Sequence, residues 1–227
     1  MIISFWNIRG LNQPTKQSEV AKFIFENNID VLGLVETKVK LGNEDSIKSK
    51  VFKHWSSVTN SSPDSTGRIW IGWNPDKILL NVIKISPQTI YVLIDSIDKS
   101  FKSEATFVYG YNTGPERVAL WHDLRAIQLG STSTNYIALG DFNVVLHPNE
   151  KLGDNNGLDS DISDFQQAVN INCLVDLRYV GEFFTWCNRR YGRTDFTQRK
   201  LDRVLVNQLW LDNFTCSYAH FHSPGYL

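Results

Sequence analysis

Sulfur is scarce in this chain, with three cysteines and one methionine among 227 residues. Cys173, Cys187 and Cys216 are odd in number, far apart and without the paired spacing of a zinc site. That excludes a disulfide framework and points to reduced thiols in an intracellular protein. No apolar run approaches the roughly 20 residues that cross a bilayer, and Met1–Trp6 lacks the basic start of a leader. No membrane partner is expected, and cytoplasm or nucleus is the default location. Neither sign of charge is in excess: 23 Lys plus Arg face 24 Asp plus Glu, for a net charge of −1. A protein that held nucleic acid by bulk charge would be more basic, so any polyanion has to be met by a local patch. Repeats and low-complexity linkers are lacking too. What remains is a chain 42 % hydrophobic and 21 % charged, able to build a large core. It reads as one domain over 1–227, with two small domains as the alternative, and a monomer is expected.

Periodicity gives the order of elements. Ile2–Trp6 predicts a strand, and Pro14 opens a helix carrying Val20, Phe23 and Ile24 at helical spacing and ending at Asn27-Asn28. Ile29–Val35 predicts a second strand beside the first, with Asn7 and Glu36 at one edge. Residues 41–66 read as a polar loop followed by an edge strand. Arg68–Asn74, Ile78–Ile85, Thr89–Ile94 and Ala105–Tyr109 continue as strands. Pro115–Leu129 predicts a helix with Val118, Trp121, Leu124 and Arg125 along one side. A strand at Tyr136–Leu139 follows, then an Asn/Asp/Gly loop over His147–Ser160. Beyond it come a helix through Ile162, Phe165, Val169 and Cys173, a strand at Phe183–Cys187 and another at Leu201–Val206. Trp70, Trp73, Trp121 and Trp210 belong to the core. Strands with interspersed helices suggest two sheets packed face to face with helices outside.

The chemistry is concentrated after Tyr136–Leu139, where Gly140 is followed by Asp141 and Asn143. Two residues apart at a strand end, both point to one side. A carboxylate and a carboxamide so placed can hold a divalent metal and the oxygen attacking a phosphate. The same tetrapeptide also reads as a turn in which Asp and Asn bond nearby backbone, and Glu36 alone also reads as a solvated strand end.

Six segments in order carry a resemblance: Trp6-Asn7, Glu36-Thr37-Lys38, Val108–Asn112, Gly140–Asn143, Phe184-Thr185-Trp186 and Lys200–Arg203. Together they resemble the endonuclease/exonuclease/phosphatase superfamily, the metal-dependent phosphodiesterases related to abasic-site DNA endonucleases. Arg68-Ile69-Trp70, Trp73-Asn74-Pro75, Glu150-Lys151 and Lys200–Asn207 are similar to the endonuclease domain of plant LINE-type (non-LTR) retrotransposon polyproteins. The resemblance implies an α/β fold, a four-layer sandwich of two packed mixed β-sheets with flanking helices. It implies a Mg²⁺ (or Mn²⁺) cofactor held by Asn7, Glu36 and Asp202, with Glu36 the main carboxylate. Tyr109 would lie against the scissile phosphate, Asp141 would orient or deprotonate the attacking water, and Asn143 would bind a phosphate oxygen. Position 9 is Arg where repair enzymes of the family carry Asp, which argues against a second metal. Phosphodiester cleavage needs these residue types, because a hard cation on oxygen ligands relieves phosphate charge and Asn and Tyr donate hydrogen bonds as the pentavalent state forms.

The family closes with Ser-Asp-His, a triplet that these 227 residues do not contain. Either His222-Ser223-Pro224 matches the family's His-Ser-Pro with Phe221 replacing Asp, or Phe221–Tyr226 matches the hydrophobic-Pro-Gly segment just before the triplet; spacing favours the second. The chain is then expected to be C-terminally truncated, to lack a last strand and to have impaired activity. His54, in an edge strand, His122, on a helix, and His147, in a loop, are no substitutes. Arg189, Arg190, Tyr191, Arg193 and Lys200, in a basic stretch with Arg199, Arg203 and Phe196, suit phosphate contact and base stacking, or else form a solvated hairpin. The expected function is a Mg²⁺-dependent DNA-nicking endonuclease with DNA as partner and, in the family, a downstream reverse transcriptase domain. The alternatives are an inert relic or DNA-binding fragment, and a same-fold phosphatase on a small or lipid phosphate.

Overall fold

In the first part of the chain, β1 (Ile3–Asn7), α1 (Pro14–Glu26) and β2 (Val31–Val35) form the expected strand–helix–strand unit. The computed structural model describes residues 1–62, 67–130, 134–153 and 159–223. They divide into two compact units, Met1–Tyr109 and Gly110–Leu227. Pro14 takes the first helical turn, where its missing N–H costs nothing, and Asn28 ends α1 in a left-handed conformation (φ 49°). β1 and β2 are parallel and place Asn7 opposite Val35, so Glu36 leaves the sheet at the edge where Asn7 ends.

One prediction fails here. Residues 44–51 are not loop but a helix, α2 (Glu44–Val51), with Ile47 and Val51 buried four apart. Glu44 and Asp45 in its first turn and Lys48 and Lys50 in its last oppose the helix dipole. His54 accordingly lies in the turn after this helix, not in the edge strand. β3 (Ser56–Thr59) and β4 (Ile69–Trp73) complete a mixed sheet of order β1-β2-β4-β3.

Three antiparallel strands follow, β5 (Ile78–Ile85), β6 (Thr89–Ser96) and β7 (Lys102–Tyr109). They pack against the first sheet closely: a Cβ added to Gly33 on β2 would lie 2.3 Å from Phe107 Cδ1 on β7. Only glycine permits that approach, which brings the end of β7 near the end of β2.

The second unit starts with α3 (Gly114–Gly130) and β8 (Tyr136–Asp141), the latter buried throughout. The inward side of α3 is Arg117, Leu120, Leu124 and Ile127, one residue displaced from the predicted face, and Val118 is exposed. β9 (Lys151–Leu152), α4 (Asp159–Ile171), β10 (Val175–Asp176), β11 (Tyr179–Gly181), β12 (Trp186–Cys187), β13 (Gln198–Arg199) and β14 (Asp202–Val206) come next. A short helix, α5 (Gln208–Asn213), capped by Asn207, and β15 (Ala219–Phe221) end the described chain. β10, β14 and β8 form an antiparallel set in which Asp202 is opposite Asp141. The strand predicted at Phe183–Cys187 shrinks to Trp186–Cys187, paired through β13 to β9.

A stack of rings closes this core, with Phe165 5.0 Å from both Trp121 and Phe142. Trp70 and Trp210 are buried, whereas Trp73 and Trp121 are half-buried. The three cysteines are free thiols. No helix among the described residues is long and apolar enough to cross a membrane. Pro224–Tyr226, on which part of the tail alignment rests, lie outside the described residues.

Candidate active site

Four side chains gather at the strand ends of the first unit. The Tyr109 hydroxyl donates to Glu36 Oε1 at 2.9 Å, joining positions 73 residues apart. Lys38 Nζ lies 3.0 Å from Glu36 Oε2, and Arg68 donates to the Tyr109 oxygen at 3.4 Å. Burial, followed by the Glu36 carboxylate, pushes the Tyr109 phenol well above its ordinary value, so it stays protonated and acts as a donor.

The backbone is bent to make this arrangement. Glu36 (φ 54°) and Lys38 (φ 53°) are both left-handed, an uncommon conformation for residues other than glycine. Thr37 between them is buried and anchors the bend, its hydroxyl donating to the Gly67 carbonyl at 3.2 Å. The segments after β1 and β2 run together, with Gly10 N–H on the Glu36 carbonyl at 2.7 Å and Leu11 N–H on the Thr37 carbonyl at 2.8 Å. Asn7 Oδ1 accepts the Arg9 N–H at 3.2 Å. Such strain concentrates at functional sites.

The second unit carries the other predicted residues. Asp141 is buried, and its Oδ1 accepts the Asn143 N–H at 2.9 Å. Asn143 is left-handed (φ 53°) and its Nδ2 donates to the Gly110 carbonyl at 2.6 Å. The turn read from Gly140–Asn143 therefore exists, and it is what presents the two side chains. Asp202 takes its place opposite Asp141, with its N–H and that of Leu201 both donated to Thr185 Oγ1 at 3.0 Å.

Two buried arginines hold this edge, and sequence reasoning gave neither a role in it. Arg117 donates to the carbonyls of Tyr111 (2.7 Å) and Asn143 (3.2 Å) and to Asp161 Oδ2 (2.6 Å). Burial pulls its guanidinium below its ordinary value, opposed by the Asp161 carboxylate. A Cβ on Gly114 would fall 2.1 Å from Asp161 Oδ1, so a glycine lets the clamp close. Arg203 bonds Glu150 and Asp176. Glu150 in turn accepts the Leu146 N–H at 2.8 Å and the His147 N–H at 3.1 Å, tying down the loop after Asn143. A signal for Arg117 exists in retrospect: 117, 120, 124 and 127 share one helical face, which is apolar except at its first position.

The basic stretch is split. Arg189, Arg190, Tyr191 and Arg193 are exposed, with Arg190 and Arg193 both paired to Asp195. Tyr191 is 68 % exposed, its ring 5.3 Å from Phe196. Lys200 and Arg203 are instead buried. Lys200 Nζ sits 4.1 Å from the Tyr179 ring centroid and 3.7 Å from Asp176, and burial pushes its ammonium downward. Lys200 is thus a core cation rather than part of a surface patch, a correction to the sequence reading. His222 lies beside His220, ring centroids 4.2 Å apart.

Among the described residues no three His, Cys, Asp or Glu side chains gather into a metal-holding group. A closed Zn²⁺ cage does not fit that donor set. One carboxylate, Glu36, with a carboxamide from Asn7 at the same sheet edge fits a hard cation that keeps most of its water.

The profile of the endonuclease/exonuclease/phosphatase family matches residues 4–223. The chain belongs to this family. Its members are hydrolytic nucleases and phosphatases, generally dependent on a divalent metal. Among solved structures, the family fold is shared with the endonuclease domain of TRAS1, a telomere-specific non-LTR retrotransposon. That match has a TM-score of 0.70 and 14 % identity over 93 % of this chain and 88 % of the other. The abasic-site endonuclease LMAP from Leishmania major matches at TM-score 0.67 and 15 % identity, covering 91 % and 78 %. An endonuclease/exonuclease/phosphatase family protein from Bacteroides thetaiotaomicron matches at 0.58 and 14 %, covering 90 % and 82 %. No curated protein sequence matches the chain. These likenesses show the fold, an α/β architecture of two mixed sheets with helices, as expected from the sequence.

Proposed function

We propose that this chain is a Mg²⁺-dependent phosphodiesterase of the DNA-nicking kind, the endonuclease domain of a LINE-type element whose reverse transcriptase lies in a separate domain. The observation that carries the reading is the 2.9 Å hydrogen bond from Tyr109 to Glu36. Two segments tied together only by the family pattern meet at the atoms that phosphoryl chemistry needs. The match from residue 4 to 223 runs through both units and supports one catalytic domain.

In this reading Glu36 and Asn7 supply oxygens to Mg²⁺, with Asp202 as a further acidic group, and Mn²⁺ substitutes for it. When bound, the metal supplies charge relief at the phosphate. Tyr109 holds a proton it can donate to a phosphate oxygen. Asp141 orients the attacking water and accepts its proton, and Asn143, fixed by the Arg117 clamp, donates to a non-bridging oxygen. Arg189, Arg190, Arg193 and Tyr191 offer cations and a ring to the DNA strand. The pairings of Arg190 and Arg193 with Asp195 do not compete strongly, because exposed ion pairs are worth about 0–1 kcal/mol. The imidazole of the family's closing Ser-Asp-His is not among these residues. A DNA-binding protein that does not cleave is the second reading, favoured by the exposed Arg189, Arg190 and Arg193.

The test is calorimetric. Wild type is expected to take up Mg²⁺ saturably, and Glu36→Gln, which keeps an acceptor for Tyr109, is expected to weaken that uptake by about tenfold or more, roughly 1.4 kcal/mol. Equal Mg²⁺ affinity in the two proteins would remove Glu36 from the metal site.

A further inference from the structure

We infer that Arg68 is a substrate-binding residue, receiving the same phosphate that Tyr109 faces; this assignment rests on the nuclease reading above. Val35 on β2 is opposite Ile69 on β4, so the residues just beyond them, Glu36 and Arg68, emerge side by side. Arg68 is exposed. Its guanidinium meets Tyr109 in two ways, donating to the hydroxyl at 3.4 Å and lying 5.6 Å from the ring centroid.

No carboxylate among the described residues pairs with it. The nearby Glu36 oxygens are taken by Tyr109 and Lys38. An exposed guanidinium whose one hydrogen-bond partner among the described residues is a neutral phenol keeps most of its five donors for an incoming anion. The matching anion is a phosphodiester, which accepts a planar fork of two N–H groups. A single hydroxyl between a carboxylate and a guanidinium also makes a directional pair: oxygen ligands for a cation on one side, a cation for phosphate on the other.

The backbone at Arg68 is anchored independently of its side chain. Asn60 Oδ1 accepts the N–H groups of Arg68 (2.8 Å) and Ile69 (2.9 Å), and the Arg68 carbonyl takes the Thr37 N–H at 3.5 Å. Changing the side chain leaves these bonds in place, so substitutions at 68 report on binding and not on folding.

The experiment is fluorescence anisotropy of labelled duplex DNA with Ca²⁺ present, over about 50–200 mM salt, for wild type, R68M, R68K, Y109F and R68M/Y109F. R68M is expected to bind about tenfold more weakly at the low-salt end, and its log–log salt slope is expected to be smaller by about 1. R68K should recover the slope and part of the affinity. Because both groups serve one phosphate, the double variant should lose less than the product of the two single losses. R68M with wild-type affinity and slope, or strictly multiplicative losses with Y109F, overturns the assignment while the nuclease reading stands. A wild-type chain that does not bind the duplex removes the nuclease reading, and the Arg68 assignment with it.

Discussion

In a chain continued by Ser-Asp-His-Ser-Pro and a short apolar strand, Asp141→Asn is expected to lower Mg²⁺-dependent nicking of supercoiled plasmid by about 10²–10⁴-fold, the range for losing a positioned general base. The substitution is chosen for what it keeps. Oδ1 still accepts the Asn143 N–H now made at 2.9 Å, so the turn that presents Asn143 persists. It removes only the charge that takes the water's proton. The melting temperature should stay close to wild type while the rate falls. A variant that nicks at the wild-type rate would mean that the proton goes elsewhere and that Asp141 serves the turn alone.

Arg117→Met carries the largest expected effect on stability. Its side chain is 2 % exposed and its partner Asp161 is 18 % exposed, so removing the cation leaves a mostly buried carboxylate unpaired. Breaking a buried pair in this way costs about 3–5 kcal/mol. For a chain of this size that lowers the melting temperature by about 2–4 °C per kcal/mol. The loss extends to function, because the same guanidinium holds the Asn143 carbonyl at 3.2 Å. R117M/D161L, which removes both charges, should recover part of the stability but not the placement of Asn143. Chemical denaturation and nicking on the same preparations separate the two. If R117M melts like wild type, the clamp is not what holds this loop.

Much of this arrangement was legible in the sequence because it follows from period and punctuation. The strand–helix–strand start is marked by Pro14, by apolar spacing and by Asn27-Asn28, and the parallel pairing of β1 with β2 brings Asn7 and Glu36 to one edge. Gly140–Asn143 announces both a strand end and a turn, and it supplies both. What could not be read was where charge goes inside. Ile47 and Val51 are too few apolar residues to mark α2 against its polar surroundings. In α3 the inward face begins with an arginine, so hydrophobicity alone placed that face one residue away. Lys200 and Arg203 lie in a run of basic residues that looks like surface. Their partners Asp176 and Glu150 are distant in sequence, and only tertiary structure shows them being neutralised. The role of Arg68, an exposed residue, was equally unreadable, since an arginine at the start of a predicted strand says nothing until the strand's neighbour is known.

The most direct measurement is the conversion of supercoiled plasmid to its open circle, in Mg²⁺ and in EDTA. It is made on this chain and on a chain continued by Ser-Asp-His-Ser-Pro and a short apolar strand. The account predicts that the continued chain nicks in Mg²⁺ and not in EDTA. It should exceed the present chain by about 10²–10⁴-fold, the worth of a positioned histidine, and lose its activity on Asp141→Asn. A continued chain that folds and binds Mg²⁺ but leaves the plasmid intact, or nicking indifferent to Asp141 and to EDTA, would contradict it.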